Sequence, residues 1–160
     1  MNGPSNCLTS LSRDNGTIFL LAPLIPITPT KDHMSDERKK IMGLFHSLCQ
    51  QPEVVFPKPR QKLIAPKEHG VYIIRDDQGV IVHVGRTLRA SLGLHQRLGN
   101  HLNSNSSFTR EYLDRDGSKL RGIFTFQCLD VKNPRERALF ESLAIGLLCP
   151  AHIGTGAGKK

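Results

Sequence analysis

Two β-rich runs separated by a turn cluster constrain this chain most. Val71-Tyr72-Ile73-Ile74 and Val80-Ile81-Val82-His83-Val84 flank Asp76-Asp77-Gln78-Gly79. Val, Ile and Tyr fit a pleated, half-buried surface, and an acidic cluster ending in Gly favours chain reversal, so the segment predicts a β-hairpin. Leu94, Leu98 and Leu102 then recur at helical spacing over Leu92–Leu102, with Ser91 placed to cap the start. Asn103–Ser107 is a polar break. From Gly122 to Leu129, Ile123, Thr125, Gln127 and Leu129 alternate with Phe124, Phe126 and Cys128, the period of another strand. Asn133-Pro134-Arg135-Glu136 opens the last helix: Asn caps, Pro takes the first helical position, and Glu follows three residues after the cap. That helix runs to about Leu148 and stops before Pro150. The order strand, strand, helix, strand, helix predicts an α+β fold: a small three-stranded, mostly antiparallel sheet flanked by helices.

Residues 1–33 are rich in Pro, Ser, Thr, Asn and Gly without periodicity and are expected to form a poorly ordered arm. Residues 34–63 read as a helix plus a basic extended linker. In the helix, Ser35 can cap, Asp36 and Glu37 suit the first turn, and Ile41, Leu44, Phe45 and Leu48 share a face. The linker is Pro57-Lys58-Pro59-Arg60-Gln61-Lys62. The domain proper is expected over 64–154, with 155–160 a flexible tail. The apolar run Thr17–Ile27 is too short to span a bilayer and holds Pro23 and Pro26, so neither membrane insertion nor export is expected. Met34 competes with Met1 as the start, a choice that mass spectrometry of the native N-terminus decides.

Of 160 residues, 22 are Lys or Arg and 14 are Asp or Glu, giving a net charge of +8. Such an excess suits a polyanionic partner, because basic side chains release counterions from phosphate backbones; a merely basic small protein is the plain alternative. Lys58, Arg60, Lys62, Arg86 and Arg110 are the chosen candidates for nucleic-acid contact. Arg115, Lys119 and Arg121 lie in the same stretch as Arg110, and a solvated loop explains that stretch equally. Cys7, Cys49, Cys128 and Cys149 form no CxxC pair, which fits neither a zinc site nor an oxidised scaffold. Reduced, partly buried thiols in a cytoplasmic protein are expected.

The hairpin brings Tyr72 and His83 toward one end of the sheet. A phenol with an ordinary pKa near ~10 is a poor base at neutral pH unless a neighbour takes its proton or a cation stabilises its anion, and an imidazole can do the first. Arg97 and His101, four residues apart, share a helix face beside the leucine stripe. A guanidinium grips phosphate, and an imidazole one turn away exchanges protons. The competing reading of both pairs is ordinary: a strand Tyr, a surface His and an exposed polar helix face. His95 is assigned no role. Glu141 is bordered by Ala138, Ala144, Ile145 and Leu148, an apolar setting that is costly for a carboxylate without compensation. Two compensations stand: an intrahelical ion pair with Arg137, or a magnesium ion, which prefers one or two carboxylates plus water and phosphate oxygens.

Together these residues resemble the GIY-YIG endonuclease family. Gly70-Val71-Tyr72 matches its first tripeptide, and His83-Val84-Gly85 its second with His for the usual Tyr. Arg97 with His101 matches its Arg-and-His helix, and Glu141 its metal-binding glutamate. The resemblance implies magnesium- or manganese-dependent hydrolysis of DNA, with Tyr72 as general base, His101 or His83 relieving it, Arg97 on the phosphate and Glu141 on the metal. Products would carry a 5′ phosphate and a 3′ hydroxyl. Many members also have an asparagine after the glutamate helix, where this chain has Pro150-Ala151-His152-Ile153-Gly154. A non-catalytic nucleic-acid-binding module that keeps the fold is the alternative, and monomer and homodimer are both open.

Overall fold

A computed structural model describes residues 36–154; the arm, the Ser35 cap, the choice of start and the tail fall outside the described residues. The elements are α1 (Asp36–Cys49), β1 (Val54–Val55), β2 (Gly70–Arg75), β3 (Ile81–Arg86), α2 (Gly93–Leu102), α3 (Ser107–Tyr112), a 3-10 turn (Gly117–Leu120), β4 (Thr125–Asp130) and α4 (Pro134–Leu148). No helix among the described residues is long and apolar enough to cross a membrane.

The sheet has four strands rather than three, in the order β1-β4-β2-β3, and every pairing is antiparallel. The added strand is Val54–Val55 on the edge of β4. It is too short to show a period, and its neighbour Phe56 fixes its place. Phe56 donates its N–H to the Phe124 carbonyl at 2.9 Å and buries its ring 4.9 Å from that of Phe126. β4 itself starts at Thr125, because Gly122 turns the chain at φ 71°.

The sheet is covered on both faces, which is why β2 reads as an unbroken apolar run. Val71 and Ile73, with Val84 of β3, pack against Ile41 and Leu48 of α1 and Phe140 and Ala144 of α4. Tyr72 and Ile74 face Leu94, Leu98 and Leu102 of α2 and Phe108 of α3. Each such apolar side chain, fully buried, stabilises the fold by about 1.5–3 kcal/mol before entropy is counted.

α4 begins as its sequence dictates. Asn133 Oδ1 accepts from the N–H of Arg135 at 2.9 Å and of Glu136 at 3.3 Å, with Pro134 at the first turn. It ends with Cys149 in the left-handed region at φ 44°. α2 starts differently from expectation. Ser91 does not cap it; the free N–H groups of Leu94 and His95 donate to the carbonyls of Glu68 and Pro66 at 2.8 and 2.7 Å. The thiols also differ: Cys128 is half-buried, Cys49 and Cys149 are exposed, and all three are free; Cys7 lies outside the described residues.

Candidate active site

The register of β2 against β3 sets Tyr72 opposite Gly85 and Ile74 opposite His83. The face is shared, and β3 is the edge of the sheet. A Cβ on Gly85 would stand 2.7 Å from Tyr72 Cζ and closer still to the hydroxyl, so the phenol lies directly across this glycine toward the sheet edge. Only glycine permits that approach. Gly85→Ala is therefore expected to cost about 1–3 kcal/mol through overpacking. Urea unfolding reads this directly, and unchanged stability would contradict the close contact.

Tyr72 is fully buried, and its hydroxyl holds several partners. His101 Nε2 is 2.7 Å away, Arg97 Nε donates to it from 3.2 Å, and His83 Nε2 stands at 3.4 Å. His101 Nδ1 meets Ser106 Oγ at 2.7 Å. Thr109 Oγ1 spends its proton on the Ser106 carbonyl at 3.1 Å, so Ser106 Oγ donates to Thr109 Oγ1 at 2.8 Å and accepts from His101 Nδ1–H. The tautomer follows: His101 offers a bare Nε2 to the Tyr72 proton. Tyr72 thus receives a hydrogen bond from Arg97 and gives one to His101.

Burial pushes the Tyr72 hydroxyl up to about 12, against the lowering effect of Arg97, and Glu141 adds to the rise. The phenol is therefore protonated at neutral pH and can act only by passing a proton on. Burial holds His83 down to about 3, helped by the charges of His152 and Arg97 and opposed by its bond to the His152 carbonyl. Burial also holds His101 well below the ordinary imidazole range, with His83 and Arg97 reinforcing it. Both rings are neutral acceptors. In the unfolded chain they would take protons near ~6.5, so falling pH favours unfolding. Stability is expected to be level above about pH 7 and to fall by about 1 kcal/mol or more per pH unit below ~6.5. For His83 the loss continues down to about pH 3. Urea titrations at several pH values check this, and a flat profile between about pH 7 and ~5 would contradict neutral burial.

Glu141 lies on α4, which packs on the sheet face opposite the Tyr72 ring; its charge adds to the raised Tyr72 pKa, and Arg97 lowers that of Glu141. Its ion pair is with Arg86, the last residue of β3, whose Nε stands 2.7 Å from Oε2. The Arg137 pairing is thereby corrected. Arg137 is buried and donates Nη1–H to the carbonyls of Val131 and Lys132 at 2.8 and 2.7 Å, tying the start of α4 to the end of β4. Arg86, chosen as a nucleic-acid contact, is thus the partner of the half-buried carboxylate. Burial raises the Glu141 pKa, offset by Arg86 and Arg97, and a cation beside it would relieve the same cost. Among the described residues no cluster of three or more His, Cys, Asp or Glu could cage a metal. One hard carboxylate beside an arginine fits a magnesium-type ion, which keeps its waters and draws on substrate oxygens.

The structure brings Tyr72, His83, Arg97 and His101 into one contact network, and pairs Glu141 with Arg86, the Glu141 charge adding to the raised Tyr72 pKa. Lys58, Arg60, Lys62 and Arg110 are exposed, and Arg110 lies on α3 between Thr109 and Glu111. The segment read as polar break and charged loop holds α3, capped by Ser106, which accepts from Thr109 N–H at 3.1 Å. Phe108 of α3 stacks on His83 at 4.7 Å with an interplanar angle of 9°. Beyond α4, Ala151 and His152 run parallel along the outer edge of β3 and donate N–H to Ile81 and Val82. His152 so takes a place against His83. Ser106, Thr109, Phe108 and Glu111 are site residues that sequence reasoning misses. The Ser106 cap and the Phe108–Tyr112 spacing of four are their available signals.

The tripeptides on β2 and β3 and the acidic residue on α4 are the features on which the resemblance to the GIY-YIG family rests. Among solved structures the chain is similar to the GIY-YIG N-terminal endonuclease domain of UvrC from Thermotoga maritima. With the magnesium-bound domain it shares 24% identity over 73% of this chain and 94% of that one, at a TM-score of 0.41. Two point mutants of the same domain, each bound to its catalytic divalent cation, give 24% identity over 73% of this chain and 93% of theirs, at TM-scores of 0.41 and 0.39. No family model matches the chain, and no curated protein sequence matches it.

Proposed function

We propose that the chain is an endonuclease hydrolysing DNA phosphodiester bonds with magnesium or manganese held at Glu141. The observation that carries this reading is the Tyr72 hydroxyl bonded at once to a donor, Arg97, and to an acceptor, His101. In the reaction Arg97 turns from the phenol to the scissile phosphate. The freed lone pair of Tyr72 takes a proton from the attacking water while the phenol's own proton passes to His101 Nε2. The water oxygen bonds to phosphorus, the bond to the 3′ oxygen breaks, that oxygen takes a proton from a solvent water to become the 3′ hydroxyl, and the proton resting on His101 is returned to solvent. Bound at Glu141, the cation would supply Lewis-acid stabilisation of the leaving oxygen. Lys58, Arg60, Lys62 and Arg110 would hold the flanking backbone.

The assay is incubation with supercoiled plasmid, branched DNA and single strands, with and without Mg²⁺ or Mn²⁺, with Tyr72→Phe and Glu141→Ala beside the native chain. Cation-dependent cleavage lost in both variants supports the reading; equal activity in all three identifies contamination. A second reading, a non-catalytic nucleic-acid-binding module, is favoured by the Arg86–Glu141 pair and the complete burial of Tyr72. It requires salt-dependent binding that survives loss of Glu141 and no cleavage of any substrate.

A further inference from the structure

A second line of hydrogen-bonding groups reaches Tyr72 from the surface and is not needed by the relay through His101. Glu111 Oε2 stands 3.1 Å from His152 Nε2, His152 Nδ1 stands 3.2 Å from His83 Nδ1, and His83 Nε2 stands 3.4 Å from the Tyr72 hydroxyl. The Glu111 side chain is 43% exposed, whereas that of His152 is 7% exposed. His83 Nδ1 also faces the His152 carbonyl, at 3.5 Å. We infer that Glu111 is a positioning residue that fixes, through His152, the tautomer of His83, so that a bare His83 Nε2 faces the Tyr72 hydroxyl. This deepens the nuclease reading by adding a second acceptor for the phenol's proton.

In the neutral form of His152 one arrangement satisfies Glu111, both Nδ1 atoms and the His152 carbonyl, while the single Tyr72 proton, held on the His101 side, leaves His83 Nε2 as the phenol's second acceptor. A carboxylate accepts only, so His152 carries its proton on Nε2 and presents a bare Nδ1. His83 must then donate from Nδ1, and the backbone carbonyl beside that nitrogen, also an acceptor, demands the same. Two imidazoles are thereby set by one carboxylate, as an acid orients the base of a hydrolytic triad. The pieces come from unrelated parts of the chain. Glu111 is on α3, His152 on the segment after α4 that runs along β3, and Phe108 stacks on the His83 ring to hold its plane.

The test is long-range proton–nitrogen correlation spectroscopy of the histidine rings at neutral pH, on the native chain, Glu111→Leu and Glu111→Gln. In the native chain His83 is expected to carry hydrogen on Nδ1. Glu111→Leu should invert this, because His152 loses its acceptor and is free to donate toward His83. Glu111→Gln should keep the native pattern through its amide oxygen, a rescue that a purely space-filling role does not produce. In cleavage assays Glu111→Leu should lower kcat about 10-fold or more with KM unchanged, and Glu111→Gln should restore most of it. Hydrogen on Nε2 of His83 in the native chain, an unaltered tautomer in Glu111→Leu, or a Glu111→Gln spectrum like that of the leucine variant would each overturn the inference. If the tautomers behave as stated but no nucleic acid is cleaved, the nuclease reading falls and the role of Glu111 stands.

Discussion

Tyr72→Phe is expected to lower cation-supported cleavage by about 10²–10⁴-fold, the range for loss of a positioned acid–base group. The ring fills the same space across Gly85, so the core on that face keeps its packing. What disappears is the oxygen that joins Arg97 to His101. His101 Nε2 then loses its donor inside the protein, which should cost about 1–3 kcal/mol of stability. The two losses separate experimentally. Urea unfolding gives the stability change, and single-turnover cleavage by the still-folded variant gives the catalytic one. Cleavage at the native rate by a folded Tyr72→Phe chain would remove the phenol from the mechanism.

Glu141→Gln should have a comparable effect for a different reason. The amide keeps the shape of the side chain but not its charge, and a neutral oxygen holds a hydrated divalent ion far less well. Several kcal/mol of stabilisation at the leaving oxygen go with the ion, or about 10³-fold in rate. Raising the magnesium concentration should recover little. Stability should change by no more than about 1 kcal/mol, because the pair with Arg86 is partly solvated. DNA binding measured without added metal should stay level or tighten, since one negative charge leaves a basic site and Arg86 is released from its partner. Full activity in Glu141→Gln would transfer the cation to other ligands.

The informative sequence signals are those in which local chemistry and tertiary fate agree. Asn133-Pro134 specifies a helix start by itself, and the Leu94, Leu98, Leu102 stripe points to the core in any context. β1 is hidden because Val54 and Val55 become a strand only by pairing with β4. α3 is hidden because its cap, Ser106, ends a run of Asn and Ser that reads as a break. At the site, His101 has the pattern of an exposed helix face, yet it is buried because Tyr72 and Ser106 satisfy both ring nitrogens. The Arg86–Glu141 pair and the carbonyl cluster around Arg137 join residues from different elements, and no local spacing announces either.

The nuclease reaction requires a catalytic cation at Glu141, beside Arg86 at the end of the edge strand β3. Anomalous diffraction from a crystal soaked in manganese tests this most directly. A single strong peak at the Glu141 carboxylate, with Arg86 drawn off Oε2, is the predicted result. A map with no peak there, or with manganese bound elsewhere while Arg86 still holds Glu141, would contradict it.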